Sequence, residues 1–503
     1  MPTLLIRADG GEQLGAGHVM RCLALAQAWR RTGGTARFAM ASSAPALAQC
    51  VLEEGFAIDP LSVEPGSTAD AAATVELARR HDAHQIAVDG YRFGSPYQRA
   101  LQSAGRPFLV LDDYGHADRY FADWILCQNP CASEALYASR EPRTRVLLGA
   151  RYLLLRDCFL PREETLREFP PNARRILVTL GAADPDNATA AVLQALAGIC
   201  RPGELNVRVV VGLENPRANA LAAVAAQLPV RTELCANVRD MRALMLWADT
   251  AVTAGGSTCW ELASMGVPAL VLQTADNQQG VVDCLQRAEA AVILDRRATP
   301  APAAWRDAIG RLLCDSTQRS KLSANARALV DGYGADRVVM RLLNRTIWLR
   351  HVVPGDARLL WEWANDPDTR AMSFHPAPIP FATHQEWMER KLSDPATTFL
   401  LALDAADRRV AQVRFDVTNT AAVVSISVAR EYRGQGLAIP VLQSACRRFF
   451  ANPAAPAVIH ALIKPQNTAS LRTFAKAGFT SQAQESVDGQ PAVRCILRKD
   501  FPA

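Results

Sequence analysis

The chain lacks any long block of one charge sign: its 55 basic and 50 acidic residues are interspersed, to a net charge of +5 over 503 residues. That excludes the basic stripe with which a protein tracks a nucleic-acid backbone and leaves a slight preference for anionic small ligands. No nucleic-acid partner is expected. The start MPTLLIRADGGEQ meets charge after six residues, too soon for the core of a secretory signal and far short of a bilayer span. A cytoplasmic protein with no membrane partner is expected. Twelve cysteines are scattered, and the closest pair, Cys127 and Cys131, lacks the companions and spacing of a zinc site. No metal is expected, and the cysteines read as reduced, mostly core residues. With 49% hydrophobic and 21% charged residues, the composition gives no sign of disorder.

What is present is alternation. Short apolar runs LLIRAD, ARFAMAS, QIAVDGY, PFLVLDD and WILCQN, each bounded by turn residues, are separated by helix-length segments up to about residue 130. This pattern predicts a parallel sheet covered by helices. After the charged, proline-containing stretch PREETLREFPPNARR a second set follows: RRILVTLG, LNVRVVVG, DTAVTAGG, PALVLQT and AAVILD. A third pattern begins near residue 346, where a tryptophan-rich segment leads to FLLALD, RVAQVRFD and AAVVSISV in close succession. Such spacing predicts an antiparallel, α+β unit. The expected domains are therefore 1–165, 166–345 and 346–503.

In the first domain, Gly15, Ala16 and Gly17 follow a strand and open a helix. Small residues there let the backbone approach a ligand, and the helix start offers free N–H groups to an anion. His18 stands in that first turn, at the carboxyl edge of the sheet, as a neutral base or simply as a packing residue. In the second domain, TAGGSTCWELASMGVP places Gly255, Gly256, Ser257 and Thr258 in a turn and Glu261 one turn into a helix. The turn can donate to a diphosphate and the carboxylate can accept both ribose hydroxyls, although a capping turn would look the same. Asp276, Asn277 and Gln278 end the next strand at the same edge. Asp89, Tyr91, Asp112 and Asp113 do so in the first domain, as sugar contacts or helix caps.

Taken together, RADGGEQLGAGHVMRCLALA, LGAADPDN and AGGSTCWELASMGVPALVLQTADNQ resemble the UDP-sugar hydrolases of pseudaminic acid biosynthesis, over roughly residues 1–345. That family is similar to the GT-B glycosyltransferases, whose donor lies between two Rossmann-like domains. The resemblance implies an α/β fold of GT-B-like arrangement, with His18 as general base activating water against the anomeric carbon. It further implies nucleotide contacts from Gly255, Gly256, Ser257 and Glu261, and polar contacts from Asn277 and Gln278. Arg7, Asp9, Gly17, Arg21 and Tyr91 flank the histidine as substrate-binding candidates, Arg21 equally as an ion-pair partner. Where the family shows two glycines this chain has Ala182 after Gly181.

The stretch VSISVAREYRGQGLAIPVLQSACRRFF joins a strand to a helix through Arg433, Gly434 and Gly436. Successive N–H groups in such a turn cradle a pyrophosphate. Together with VIHALIKPQNTASLRTFAKAGF it is similar to the acetyl-CoA signature of the GNAT acetyltransferases. The resemblance, spanning about 347–500, implies acetyl-CoA as acetyl donor, held by Val428, Arg433, Gly434, Gly436, Ala438, Asn467 and Ser470. Phe474 stands where many members carry a tyrosine acid. Glu362, Asn365, Arg370, His375 and His384 are candidate contacts to the acceptor amine. The two resemblances together imply a fusion of consecutive steps on a UDP-activated amino sugar: 4-N-acetylation, then hydrolysis. The alternative is a GT-B glycosyltransferase fused to an acetyltransferase acting on a protein or other amine; a non-catalytic UDP-sugar sensor is a third reading.

Overall fold

The computed structural model describes residues 2–11, 16–41, 45–161, 167–181, 184, 187–199, 204–212, 217–236, 238, 240–295, 302–418 and 420–499. The first sheet contains β1 (Thr3–Ala8), β2 (Thr35–Met40), β3 (Ala57–Pro60), β4 (Gln85–Asp89), β5 (Phe108–Leu111), β6 (Trp124–Cys127) and β7 (Arg145–Leu148). All pairs are parallel, in the order β3-β2-β1-β4-β5-β6-β7. The chain starts in the middle, winds outward and then reverses, which opens a crevice between β1 and β4. Continuous apolar runs suit a sheet covered on both faces: Leu4 and Ile6 enter one core and Leu5 the other. The sequence pattern missed two short strands: β3, AIDP, which carries no such run, and β7, RVLL, whose run is only three residues long.

The second sheet repeats the plan with β8 (Arg175–Thr179), β9 (Asn206–Val211), β10 (Arg231–Ala236), β11 (Thr250–Ala254), β12 (Ala269–Gln273) and β13 (Val292–Asp295). Its order β10-β9-β8-β11-β12-β13 puts the reversal between β8 and β11. The third sheet contains β14 (Ile347–His351), β15 (Thr397–Asp404), β16 (Arg409–Thr418), β17 (Ala421–Val428), β18 (Val458–Ile463), β19 (Thr480–Val487) and β20 (Gln490–Arg498), in the order β14-β15-β16-β17-β18-β20-β19. It is antiparallel with one exception to the expected pattern. β17 and β18 run parallel and pair only at Ala422–Ile459 and Val423–His460. No helix among the described residues is long and apolar enough to cross a membrane.

The segment 166–345 is not one body in space. Its last helix, Gly334–Leu342, crosses back and buries Ala335, Val338 and Val339 with Trp29 in the core of the first sheet. Arg31 fixes it there through Asp336, at 2.6 and 3.2 Å, and also binds Asp157. Gly334 meets the backbone of the first lobe, where a Cβ would stand 2.5 Å from the Leu153 nitrogen and closer still to the Leu153 carbonyl. Backbone cannot swing aside as a side chain does. Gly334→Ala is therefore expected to destabilise by about 1–3 kcal/mol, whereas Gly310→Ala, in open space inside a helix, should stabilise by roughly 0.5–1 kcal/mol. Thermal and urea unfolding of both variants check this.

Candidate functional sites

His18 lies in the first turn of helix α1 (Gly17–Arg31), directly beyond β1, and α1 has no side-chain cap. Asp89 ends β4, the neighbour of β1 across the crevice, and Asp113 follows β5. The three come together at the reversal of strand order. His18 Nδ1 lies 2.7 Å from Asp89 Oδ1. Arg21, one turn along α1, donates to both oxygens of Asp89 at 2.6 and 2.7 Å and to Asp113 at 2.7 Å. An ionised Asp89 only accepts, so Nδ1 carries the proton and donates it, and Nε2 is left as the basic nitrogen. No partner is bonded to Nε2 among the described residues.

Burial pushes the Asp89 carboxyl up, but the Arg21 charge and its hydrogen bonds, with His18, outweigh this and hold it below the usual carboxylate range. Asp89 is fully covered. It holds the His18 ring through Nδ1, where the sequence left it between sugar contact and helix cap. Arg21 is an ion-pair partner and not a free ligand donor. Arg7, also fully buried, spends its guanidinium on Asp70 at 2.8 and 2.9 Å and on Asp9 at 2.8 Å. As a substrate contact it is corrected to a strut beneath the site. Asp9 further accepts from Ala41 N. Asp112 caps its own turn, accepting from the Tyr114, Gly115 and His116 amides. Tyr91 is half-exposed, donates to Asp113 at 2.7 Å and stands edge-on to His18 at 5.0 Å. Gly17 is exposed at the helix start, with open space where a Cβ would be; Gly15 lies outside the described residues.

In the second lobe, the turn after β11 sits at the corresponding reversal. Here the donors differ from those expected. Gly255 N–H goes to Leu272 O and Gly256 N–H to Ala254 O, so neither serves a ligand. Gly255 is needed for packing, since a Cβ would meet Gln278 Cβ at 3.0 Å. The N–H groups of Ser257 and Thr258 open the Thr258–Ser264 helix, which has no side-chain cap. Gln278 closes its own loop, with Oε1 2.9 Å from Thr274 N, and is corrected to a structural residue. Asn277 lies in the short turn Asp276–Gln278, with its side chain outside the described residues, as is Ala182. Burial pushes the Glu261 carboxyl up to about 7, with Arg156 at 3.9 Å pulling it back. Arg156, in the connection between lobes and stacked on Phe159, was not anticipated.

The third domain holds a cavity of about 1060 Å³ at the opening between β17 and β18. Val428, Arg433, Gly434, Gly436, Ala438, Asn467 and Ser470 all line it. Gly434 and Gly436 both have φ of 75°, and the helix they feed, Ala438–Phe450, has no side-chain cap. The side chain of Arg433 is already committed, to Val428 O, Asp366, Asp368 and Thr369. It ties the turn to Asp366, Asp368 and Thr369, so its guanidinium is not free for a ligand. Asn467 caps the Thr468–Lys476 helix through Ser470 N at 3.0 Å. Phe474 is buried edge-on to Phe479. Of the acceptor candidates, Arg370 and His384 line the cavity, whereas Glu362 pairs with Arg358, Asn365 clamps Ile379, and His375 is exposed beside Asp488. Gln412, Arg414 and Ser427, missed from sequence, also line it. The alternation in RVAQVRFD marked the first two.

Residues 346–480 match the acetyltransferase (GNAT) domain family, so the chain carries a GNAT acetyltransferase domain. The spore coat polysaccharide biosynthesis protein SpsG of Bacillus subtilis is 30% identical over 200 residues, 39% of this chain and 58% of that protein. The chain spans less than three fifths of each of the two curated relatives it matches. MurG of Acinetobacter baumannii is 17% identical over 68% of this chain and all of that one, with a TM-score of 0.48. Spermidine N-acetyltransferase of Vibrio cholerae, solved with CoA and spermine, is 19% identical over 31% of this chain and 96% of that one, with a TM-score of 0.28.

An L side chain in the left-handed region costs roughly 1–2 kcal/mol. Gly436→Ala is thus expected to weaken coenzyme A binding about tenfold by calorimetry, while Gln435→Ala, with its side chain turned to Glu431 O, leaves it within about twofold.

Proposed function

We propose that the chain is a bifunctional nucleotide-sugar enzyme of pseudaminic, or nonulosonic, acid biosynthesis. Domain 346–503 transfers acetyl from acetyl-CoA to the 4-amino group of UDP-4-amino-4,6-dideoxy-N-acetyl-β-L-altrosamine. Domains 1–165 and 166–345 then hydrolyse UDP-2,4-diacetamido-2,4,6-trideoxy-β-L-altropyranose to UDP and the free sugar. The observation that carries the reading is the His18–Asp89 pair, a base with its tautomer fixed, beside an uncapped helix start and in the same chain as an acetyltransferase cavity. The polysaccharide biosynthesis named for the SpsG relative is in keeping with a sugar substrate.

In this mechanism Nε2 of His18 takes a proton from water as the water oxygen bonds to the anomeric carbon. The bond from that carbon to the diphosphate oxygen breaks, and its electron pair leaves with UDP. Charge developing on the β-phosphate is met by preorganised amides, those of Ser257 and Thr258, which stabilise the transition state more than the ground state. Glu261 accepts the ribose hydroxyls. Asp89 stabilises the imidazolium that forms and needs no proton itself.

The test is UDP release from the UDP-4-amino sugar with and without acetyl-CoA. Release only with acetyl-CoA is expected, and His18→Ala should accumulate the acetylated UDP-sugar with hydrolysis down about 10²–10⁴-fold. Asp89→Asn should fall comparably while acetylation is untouched. Acetylation without UDP release from the wild type would leave a glycosyltransferase or sensor. A second expectation concerns Glu261, which is neutral below about 7 and ionised above. Since the carboxylate is the better acceptor, uridine, which has no titrating phosphate, should bind more tightly as pH rises through 7. Glu261→Gln should abolish that dependence in a calorimetric titration.

A further inference from the structure

The acceptor half of the acetyltransferase cavity contains an unpaired buried cation. Lys464 directly follows β18, is 8% exposed and lines the cavity. Among the described residues its ammonium has no ion pair or hydrogen bond; its neighbour is the ring of Phe374, 5.7 Å from Nζ to centroid. A lysine this buried ordinarily has a partner.

The face it occupies is identifiable from register. Along β18, Ile459, Ala461 and Ile463 point into the core under the coenzyme-turn helix, so by the alternation of a strand Leu462 and Lys464 lie on the opposite face. Gln412 and Ser427, opposed across β16 and β17, share that face. Their Oε1 and Oγ, and Nδ1 of His384 from the helix above, are buried without a partner among the described residues. Arg370, on the Pro367–Met372 helix, gives Nη1 to the carbonyls of His375 and Ala377 but leaves Nε unpaired and meets no carboxylate. The one acidic residue lining the cavity, Asp368, is bound to Arg433.

We propose that Lys464 and Arg370 form an anion subsite for the acceptor, so that this domain acetylates an amine carried on a phosphorylated molecule and discriminates against polyamines. A polycation would meet uncompensated positive charge and no free carboxylate among the described lining residues, whereas a phosphate or diphosphate supplies the counter-charge that the pair lacks. The unpaired Gln412, Ser427 and His384 groups suit the hydroxyl and amide functions of a sugar. The inference deepens the nucleotide-sugar reading but requires only that the acceptor be anionic.

The experiment measures coenzyme A release by the full chain with four amines: the UDP-4-amino sugar, glucosamine 6-phosphate, glucosamine and spermidine. The anionic amines are expected to have kcat/KM at least tenfold above their neutral or cationic counterparts. Lys464→Gln should raise KM for the anionic amines about 10- to 100-fold, the loss of a charge-assisted bond, with kcat, the glucosamine KM and the acetyl-CoA KM unchanged. Lys464→Met, which keeps the aliphatic stem, serves as the second variant should the first fail to fold, and an unchanged acetyl-CoA KM reports that the cavity is intact. Spermidine as the best acceptor, a rise in acetyl-CoA KM instead, or equal effects on glucosamine and glucosamine 6-phosphate would each overturn the subsite. If glucosamine 6-phosphate depends on Lys464 while the UDP-amino sugar is refused, the subsite stands and the proposed sugar falls.

Discussion

The first site depends on one buried carboxylate. Asp89 is taken out of water at the end of β4, a position that would drive a lone carboxyl toward its neutral form. Arg21 repays that desolvation, and the same residue fixes the geometry: with one oxygen against His18 Nδ1 and both against the guanidinium, neither ring nor carboxylate is free to rotate. Removing one member of such a set leaves an uncompensated buried charge, typically a loss of 3–5 kcal/mol. Arg7, Asp9 and Asp70 repeat the device around a second buried guanidinium. Charges near the site therefore act mainly on each other, and among the described residues the polar surface left for a ligand includes the His18 Nε2 edge, Tyr91 and the open start of α1.

Much of this was legible. Buried parallel strands read as apolar runs because both faces are covered, and each sheet brings its candidate turn to its own reversal of strand order, His18 after the first strand β1 and the Gly255–Ser257 turn after the fourth strand β11. The partners of individual side chains were not legible. Asp89 is 71 residues from His18, and no local pattern links a strand-end aspartate to one particular helix. Gly255 looked like a phosphate-binding glycine, yet its amide completes the sheet and its missing Cβ makes room for Gln278. A glycine-rich turn shows that backbone approaches something closely; it does not show whether that something is ligand or protein.

The third domain turns on a different constraint, the parallel pair inside an otherwise antiparallel sheet. Two residue pairs hold β17 to β18, and beyond them each strand has backbone groups with no neighbour on that side. Such edges demand either a covering element or a ligand. The cavity occupies that place, and the glycine turn opens at its end. Arg433 then holds the turn to the acceptor wall, so coenzyme and acceptor halves are mechanically one unit. The resemblance implied that this arginine helps hold acetyl-CoA; Asp366 and Asp368, distant in sequence but adjacent in space, claim its side chain first.

Joining the parts is a short, polar joint. Asp407, in the β15–β16 turn of the third domain, receives Arg337 from the helix that crosses back, Arg151 from the first lobe and the Trp348 indole at 3.2 Å. Arg337 also binds the Arg151 carbonyl and Asp331. One carboxylate thus touches three segments, and only Leu343–Thr346 separate the crossing helix from β14. A tether that short with its ends bonded on both sides is not a flexible linker, whose benefit comes from sampling volume. The two sites are held at a fixed separation by the same helix that closes the first core. On the proposed two-step function, the advantage of carrying both sites on one chain comes from that geometry and not from a swinging domain.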